Sequence, residues 1–274
     1  MNTFFLMALL FLPLPAFAAD STADSYNTPI VFGVMPQGAA ITTYSNWEPF
    51  VRYLRSKTPY TFTFNRIAPE MRNFEDDLTQ SNYDLVYMNP LNYVMFHAAG
   101  GYNVIAKEQG IPLKGLIIVR KGSNLRTIHD LKGVAMAFPD PAEFAGTIVP
   151  MAYLKAKRII VRPHYLSFSS SIFYAVARGL YPAGGGSSAV LDTVPAEIRD
   201  QLQVLWVSPS YTPAAIAVHK RLPPAVATRL RAVLLGMSVD LAGKEVLAKL
   251  GLQGFASVTN TEYDQARALW NKLE

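Results

Sequence analysis

Residues 140–143 read Asp-Pro-Ala-Glu. Asp at an N-cap position, Pro at the first helical position and Glu at the third predict a helix start. A helix start offers unpaired N–H groups and the positive end of the helix dipole, which is the chemistry of anion binding. Glu143 works against that chemistry. A carboxylate about 5 Å from a phosphoryl oxygen repels it by roughly 3 kcal/mol at an effective dielectric of about 20. Two readings of Glu143 follow. It folds back onto the Asp140 amide as the partner of a capping box, or it faces a ligand that is cationic or donates hydrogen bonds. A second set of residues has aromatic rings with polar tips. Tyr44, Tyr87 and Tyr93, with Asn89 between the last two, suit a small organic ligand. With 14 tyrosines in the chain, each also reads as core or rim packing. Ser169, Ser170 and Ser171 are either helix N-cap residues or ligand donors.

Catalytic chemistry finds little support. Cys is absent, which removes thiolate nucleophiles, thiolate metal sites and disulfides. His97, His129, His164 and His219 form no i, i+4 pair, so no metal site is expected. His129 reads as an exposed residue of a short helix. Residues 185–189, Gly-Gly-Ser-Ser-Ala, only graze the nucleophile-elbow pattern, and no strand legibly precedes them. No Gly-x-x-x-x-Gly-Lys phosphate loop exists. Asp76-Asp77 reads as a solvated helix face. The chain is therefore expected to be no enzyme and to need no cofactor.

The elements that position these residues alternate. Ile30–Val34 is a short apolar strand ending in a loop at Met35-Pro36-Gln37-Gly38. Ser45 to Glu48 has capping-box spacing, and Trp47, Phe50, Val51 and Leu54 follow on one helix face, with Trp47 directed to the core. Tyr60–Phe64 alternates as a half-buried strand. Met71, Phe74 and Leu78 mark a helix, Leu85–Tyr87 a strand and Pro90–Ala99 a helix. Alternating strands and helices predict an α/β fold with a parallel sheet. Ligands of such sheets lie at the carboxyl ends of strands, so the corners 35–44, 87–93 and 139–146 should surround one cleft. Leu116–Val119 and Ala215–His219 are further short strands. The C-terminal part is helical: one helix starts at Pro223-Pro224, with Val226, Leu230, Val233 and Leu234 on its face, and Leu241–Leu250 and Tyr263–Leu273 follow. Gly184 to Ser188 is the one low-complexity patch, too short for a linker.

The first 19 residues carry no charged side chain, an apolar run from Phe4 to Leu14, and small residues at Ala16, Ala18 and Ala19. They read as a secretory signal peptide cut after Ala18 or Ala19. An uncleaved anchor is the competing reading, but the run is shorter than the roughly 20 residues that a spanning helix needs. Loss of residues 1–19 leaves 255 of the 274 residues, room for one large domain or two α/β lobes. Export without Cys fits a bacterial periplasm. The net charge of +5 favours anionic ligands or an acidic partner surface. Lys and Arg are scattered, with no basic run of the kind that binds nucleic acid.

Three segments between Asp84 and Pro150 carry a resemblance: YDLVYMNPLNYV from Tyr83, LKGLIIVRKGSNL from Leu113 and DLKGVAMAFPDPAEFAG from Asp130. Their layout resembles the periplasmic substrate-binding proteins of phosphate, phosphite and phosphonate ABC transporters. The resemblance spans roughly residues 30–274 in layout and implies the two-lobed type II periplasmic binding protein fold, with a hinge and an interlobe cleft. It implies crossovers at 116–119 and 215–219, with lobe one at 20–120 plus 212–274 and lobe two at 121–211. In the family, small hydroxyl residues follow the Asp-Pro pair and grip phosphoryl oxygens. Here those positions hold Ala142, Glu143 and Phe144. A family His aligns with Ser169, and an Asp that can hold a ligand amine aligns with Pro182. The implied function is non-catalytic capture of a small ligand by a monomer, for delivery to an inner-membrane ABC permease, with a degraded phosphoryl motif. The expected ligand-binding residues are Tyr44, Tyr87, Asn89, Tyr93, Ala142, Glu143, Phe144 and Ser169. A different reading makes the chain the periplasmic sensing partner of a membrane receptor, such as a histidine kinase or a cyclic-dinucleotide enzyme. A third, a secreted hydrolase, has the least support from the residues.

Overall fold

Strands and helices alternate through both halves of the chain, and the strands divide into two sheets. The computed structural model describes residues 26–37, 39–166 and 168–273, so the expected signal segment lies outside the described residues. The first half contains β1 (Ile30–Val34), α1 (Ala40–Lys57), β2 (Phe62–Thr63), α2 (Met71–Thr79), β3 (Leu85–Met88), α3 (Pro90–Ala98) and β4 (Tyr102–Glu108). The middle contains β5 (Gly115–Arg120), β6 (Ala135–Phe138), α4 (Val149–Ala156), β7 (Arg162–Tyr165), α5 (Ser171–Ala177), β8 (Ala183–Ser187), α6 (Ser188–Thr193), α7 (Ala196–Arg199) and β9 (Leu202–Val207). The chain then returns through β10 (Ala215–His219), α8 (Pro224–Gly236), α9 (Leu241–Leu250), β11 (Phe255–Ala256) and α10 (Asp264–Leu273).

The sheets share one plan. The first runs β11-β4-β10-β3-β1-β2 and the second β7-β6-β8-β5-β9. In each, three neighbouring strands are parallel, and the next strand is antiparallel and arrives from the other sheet: β10 beside β3, and β5 beside β8. The strand at 115–120 thus belongs to the second sheet, because it pairs with β8 and β9. The chain passes between the sheets at 109–114 and 208–214, not at the expected boundary of 120.

Period-two alternation sorts the core of the first sheet onto two faces. Phe32, Leu85 and Tyr87 point to the face covered by Trp47, Phe50 and Leu54 of α1 and by Val226 and Leu230 of α8. Val86 and Met88 point to the other face, with Tyr93 and Phe96 of α3 and Leu269 of α10. Each large apolar side chain so buried contributes about 1.5–3 kcal/mol.

Several local expectations are corrected. The capping box at Ser45–Glu48 does not form, because α1 already starts at Ala40 and carries Pro49 inside it. The Ser45 hydroxyl donates back to the Ile41 carbonyl, and Glu48 pairs with Arg52. Asp77 is not a solvated residue: it accepts hydrogen bonds from Arg66, Asn82 and the Tyr83 hydroxyl. The Gly-rich patch is the strand β8, buried in the middle of the second sheet.

The glycines of β8 are required by close approach from both faces. A Cβ on Gly184 would lie 2.6 Å from Ile172, and one on Gly186 would lie 2.5 Å from Phe173, both on α5. A Cβ on Gly185 would lie 2.4 Å from the Gly146 carbonyl oxygen and 2.5 Å from the Phe138 ring. The backbone of Gly146 cannot retreat as a side-chain tip could. Gly185→Ala is expected to destabilise the protein by about 1–3 kcal/mol through overpacking. A lowered urea midpoint at unchanged slope checks this, and an unchanged midpoint contradicts it.

Candidate ligand-binding site between the two sheets

The two connecting segments run side by side, and Leu113 and Tyr211 exchange both backbone hydrogen bonds at 2.8 Å. They leave the first sheet where β4 ends and enter the second beside the end of β8, since Gly115 is registered with Ser187. The carboxyl edges of both sets of parallel strands therefore meet at the hinge. The starts of α3 and of the helix at 144 lie at these edges, where ligands of α/β sheets bind.

The helix start expected at Asp140 is displaced. Asp140 makes a turn instead, its Oδ1 accepting from the Ala142 N–H at 2.8 Å. A π-helical turn occupies Phe144–Ile148 and runs directly into α4, with Glu143 as its N-cap. The Glu143 carbonyl accepts from Thr147 at 3.2 Å and from Ile148 at 3.0 Å. The Glu143 carboxylate accepts from the Gly146 N–H. Glu143 thus folds onto its own helix start, not onto the Asp140 amide. Burial pushes the Glu143 carboxyl above the ordinary glutamate value, the amide hydrogen bonds oppose this, and the Asp140 charge adds to it. Ala142 is half-buried on the turn that precedes this helix. Phe144 turns inward and packs edge-on against Tyr211 of the hinge, ring centroids 5.1 Å apart.

The first sheet contributes a buried polar pair. The Tyr87 hydroxyl, at the end of β3, donates to Glu108 Oε2 at 2.7 Å. The Tyr87 ring packs on Trp47, whose Nε1 donates to Gln37 at 2.9 Å. Burial raises the Glu108 carboxyl, and the Tyr87 bond partly offsets that. Burial, then the Glu108 charge, raises the Tyr87 hydroxyl well above its ordinary value. Glu108 lines a hinge cavity of about 360 Å3 with Lys107, Ser210, Tyr211, Thr212 and Glu262. Glu108 and Tyr211 were not singled out from the sequence. The legible signal for Glu108 was a lone carboxylate closing an apolar strand.

The other expected residues are dispersed. Asn89 caps α3, its Oδ1 accepting from the Asn92 N–H at 2.8 Å. Tyr93 is fully buried, its ring tilted against Tyr263, and its hydroxyl donates to Asn260 at 2.9 Å, so it packs the core instead of lining a cavity. Tyr44 is exposed and stacks on Phe64 at 5.4 Å. Ser169 is half-buried just ahead of α5 and makes no side-chain hydrogen bond among the described residues. Among the described residues no group of three or more His, Asp or Glu could hold a metal ion, and no helix is long and apolar enough to cross a membrane.

The sequence matches the family described as the periplasmic substrate-binding protein of phosphonate ABC transporters over residues 32–263, and the chain belongs to that family. The two-sheet arrangement is the type II periplasmic binding protein fold. XAC2383 from Xanthomonas citri, in a structure bound to ATP, superposes with a TM-score of 0.75 at 18% identity over 89% of this chain and 96% of that one. A binding protein component of an ABC phosphonate transporter from Pseudomonas aeruginosa gives 0.68 at 21% identity over 89% and 86%. PhnD1 from Prochlorococcus marinus (MIT 9301), in complex with methylphosphonate, gives 0.67 at 17% identity over 89% and 97%. Members of the family are solute-binding proteins, not enzymes.

A carboxyl whose value is raised by folding contributes stability that is fully present below its unfolded value and lost as pH rises through its folded value. For Glu108 the loss begins above about pH 4.5. Glu108→Gln keeps an acceptor for Tyr87 and removes the charge. Its stability relative to wild type is therefore expected to rise from pH 4.5 towards neutrality. Urea midpoints of both proteins at the two pH values check this, and parallel curves contradict it.

Proposed function

We propose that this chain is a periplasmic capture protein, exported by residues 1–19, that closes two lobes on a small solute and hands it as a monomer to an inner-membrane ABC permease. Lobe one comprises 26–108 and 215–273, and lobe two 115–207. One observation carries the reading: two sheets of the same strand order are joined by two adjacent segments, with their carboxyl edges turned to the hinge. Hinge closure around a ligand needs only a few backbone rotations in such segments. The phosphoryl motif is degraded, because Ala142, Glu143 and Phe144 supply no hydroxyl. Two of the resembled ligand contacts are also changed, to Ser169 and Pro182. Each missing charge-assisted hydrogen bond costs roughly 1.5–3 kcal/mol of binding. The neighbours named for phosphonate transport and for methylphosphonate support a small polar solute as the general class. The carboxylate folded onto the helix start also favours the second reading, a sensing partner of a membrane receptor, since a sensor needs no phosphoryl grip.

A thermal-shift screen of the mature protein with phosphate, phosphite, alkylphosphonates, amino acids and small amines tests the capture reading. A solute at about 100 times its dissociation constant stabilises the protein by about 2.7 kcal/mol. For a chain of this size that raises Tm by roughly 5–10 °C. Such a shift with at least one solute is the expected result. Silence across the panel contradicts capture and leaves the sensing role.

A further inference from the structure

We infer that Glu143 sets the charge of the ligand: its carboxylate occupies the helix start at the cleft and excludes anionic heads, so that the solute taken by this protein is uncharged or cationic there. The inference rests on the capture reading above. A helix start has three or four amides without a carbonyl of their own helix. Here the Gly146 N–H is donated to Glu143 Oε2, and the Thr147 and Ile148 amides are taken by the Glu143 carbonyl. A serine or threonine N-cap supplies one neutral oxygen and leaves donors for a ligand. The longer Glu143 side chain supplies two oxygens and a full negative charge, so the seat already holds an anion. Gly146 permits this fit, since a Cβ there would lie 2.6 Å from Glu143 Oε2.

The surroundings point the same way. Residues 139–148 contain Asp140 and Glu143 and no Lys or Arg. Neither carboxylate has a salt bridge among the described residues. Across the hinge, Glu108 likewise has no salt bridge among the described residues, and its carboxylate accepts from the Tyr87 hydroxyl. Lys107 lines the same cavity but is paired with Glu262, which leaves Glu108 without a cation there. An incoming phosphoryl dianion would have to displace a seated carboxylate and then lie beside it and Asp140. A cation or a hydrogen-bond donor would meet acceptors already fixed in place.

The test uses the mature wild-type protein and the variants Glu143→Ala and Glu143→Ser, titrated calorimetrically with methylphosphonate and with inorganic phosphate. The wild type is expected to bind neither at millimolar concentration, and both variants to bind at least one of them about tenfold or more tightly than wild type. Thermal melts supply a second readout that does not need lobe closure: phosphate should raise the Tm of the variants and leave that of the wild type unchanged. Wild-type binding of methylphosphonate as tight as that of the variants, or no gain in either variant by both readouts, overturns the inference. The capture reading fails separately, by silence of the wild type towards every member of the solute panel, anions included.

Discussion

A helix that begins at the carboxyl edge of a sheet presents amides that its own carbonyls cannot reach, and every such amide must find an acceptor. Three helices of this molecule, α3, α6 and α9, meet the constraint with a short side chain that takes one amide. Asn89 accepts from Asn92 at 2.8 Å, and Asp240 accepts from Gly243 at 3.0 Å. The helix at 144 meets it with a glutamate, and much of the second sheet is shaped around that choice. The π turn brings both Thr147 and Ile148 onto the Glu143 carbonyl. The turn then settles onto Gly185, whose missing side chain leaves room for the Gly146 carbonyl. The seat, the turn and the glycine strand form one packing unit.

The hinge joins that unit to the first sheet. Phe144 leaves the seat and packs on Tyr211, which is tied to Leu113 across the two connecting segments. Tyr211 also borders the cavity that Glu108 lines. α4 packs on α10, where Lys155 donates to the Leu273 carbonyl at 3.0 Å. The helix start and the hinge are therefore in contact through contiguous side chains. Burial of Glu108 against a single hydroxyl donor and of Glu143 against amides leaves two carboxylates whose charged forms are held at a cost by the fold. Such groups belong to sites more often than to scaffolds.

The parts of the fold legible in the sequence were those with side chains to reveal a period. β1, β3, β10, α3, α8 and α9 alternate or stripe clearly, and they stand within a residue or so of where the pattern puts them. β8 was illegible because three glycines have no pattern, although their close packing is the strongest reason for their presence. The start of α1 was obscured by the capping-box spacing of Ser45 and Glu48, which lies inside the helix. The helix start near 140 was legible as a region and displaced by three residues, because Asp140-Pro141 forms a turn that the same residues also suit. The type of Glu143 was informative before its partner was known. Its choice between the Asp140 amide and the Gly146 amide depended on the π turn, which no local pattern announces. Tyr93 illustrates the opposite difficulty: its position at a corner suggested a cleft, but Asn260, distant in sequence, takes its hydroxyl.

The most direct measurement follows the Gly146 amide and the Glu143 side-chain carboxyl together by nuclear magnetic resonance through a pH titration of the mature protein. The account predicts that the Gly146 amide proton shifts with the Glu143 titration and that the common midpoint lies above the ordinary glutamate value, because the carboxylate is buried on the helix start. A Gly146 amide that stays still while Glu143 titrates at its ordinary value would show a carboxylate free in solvent and would contradict the account.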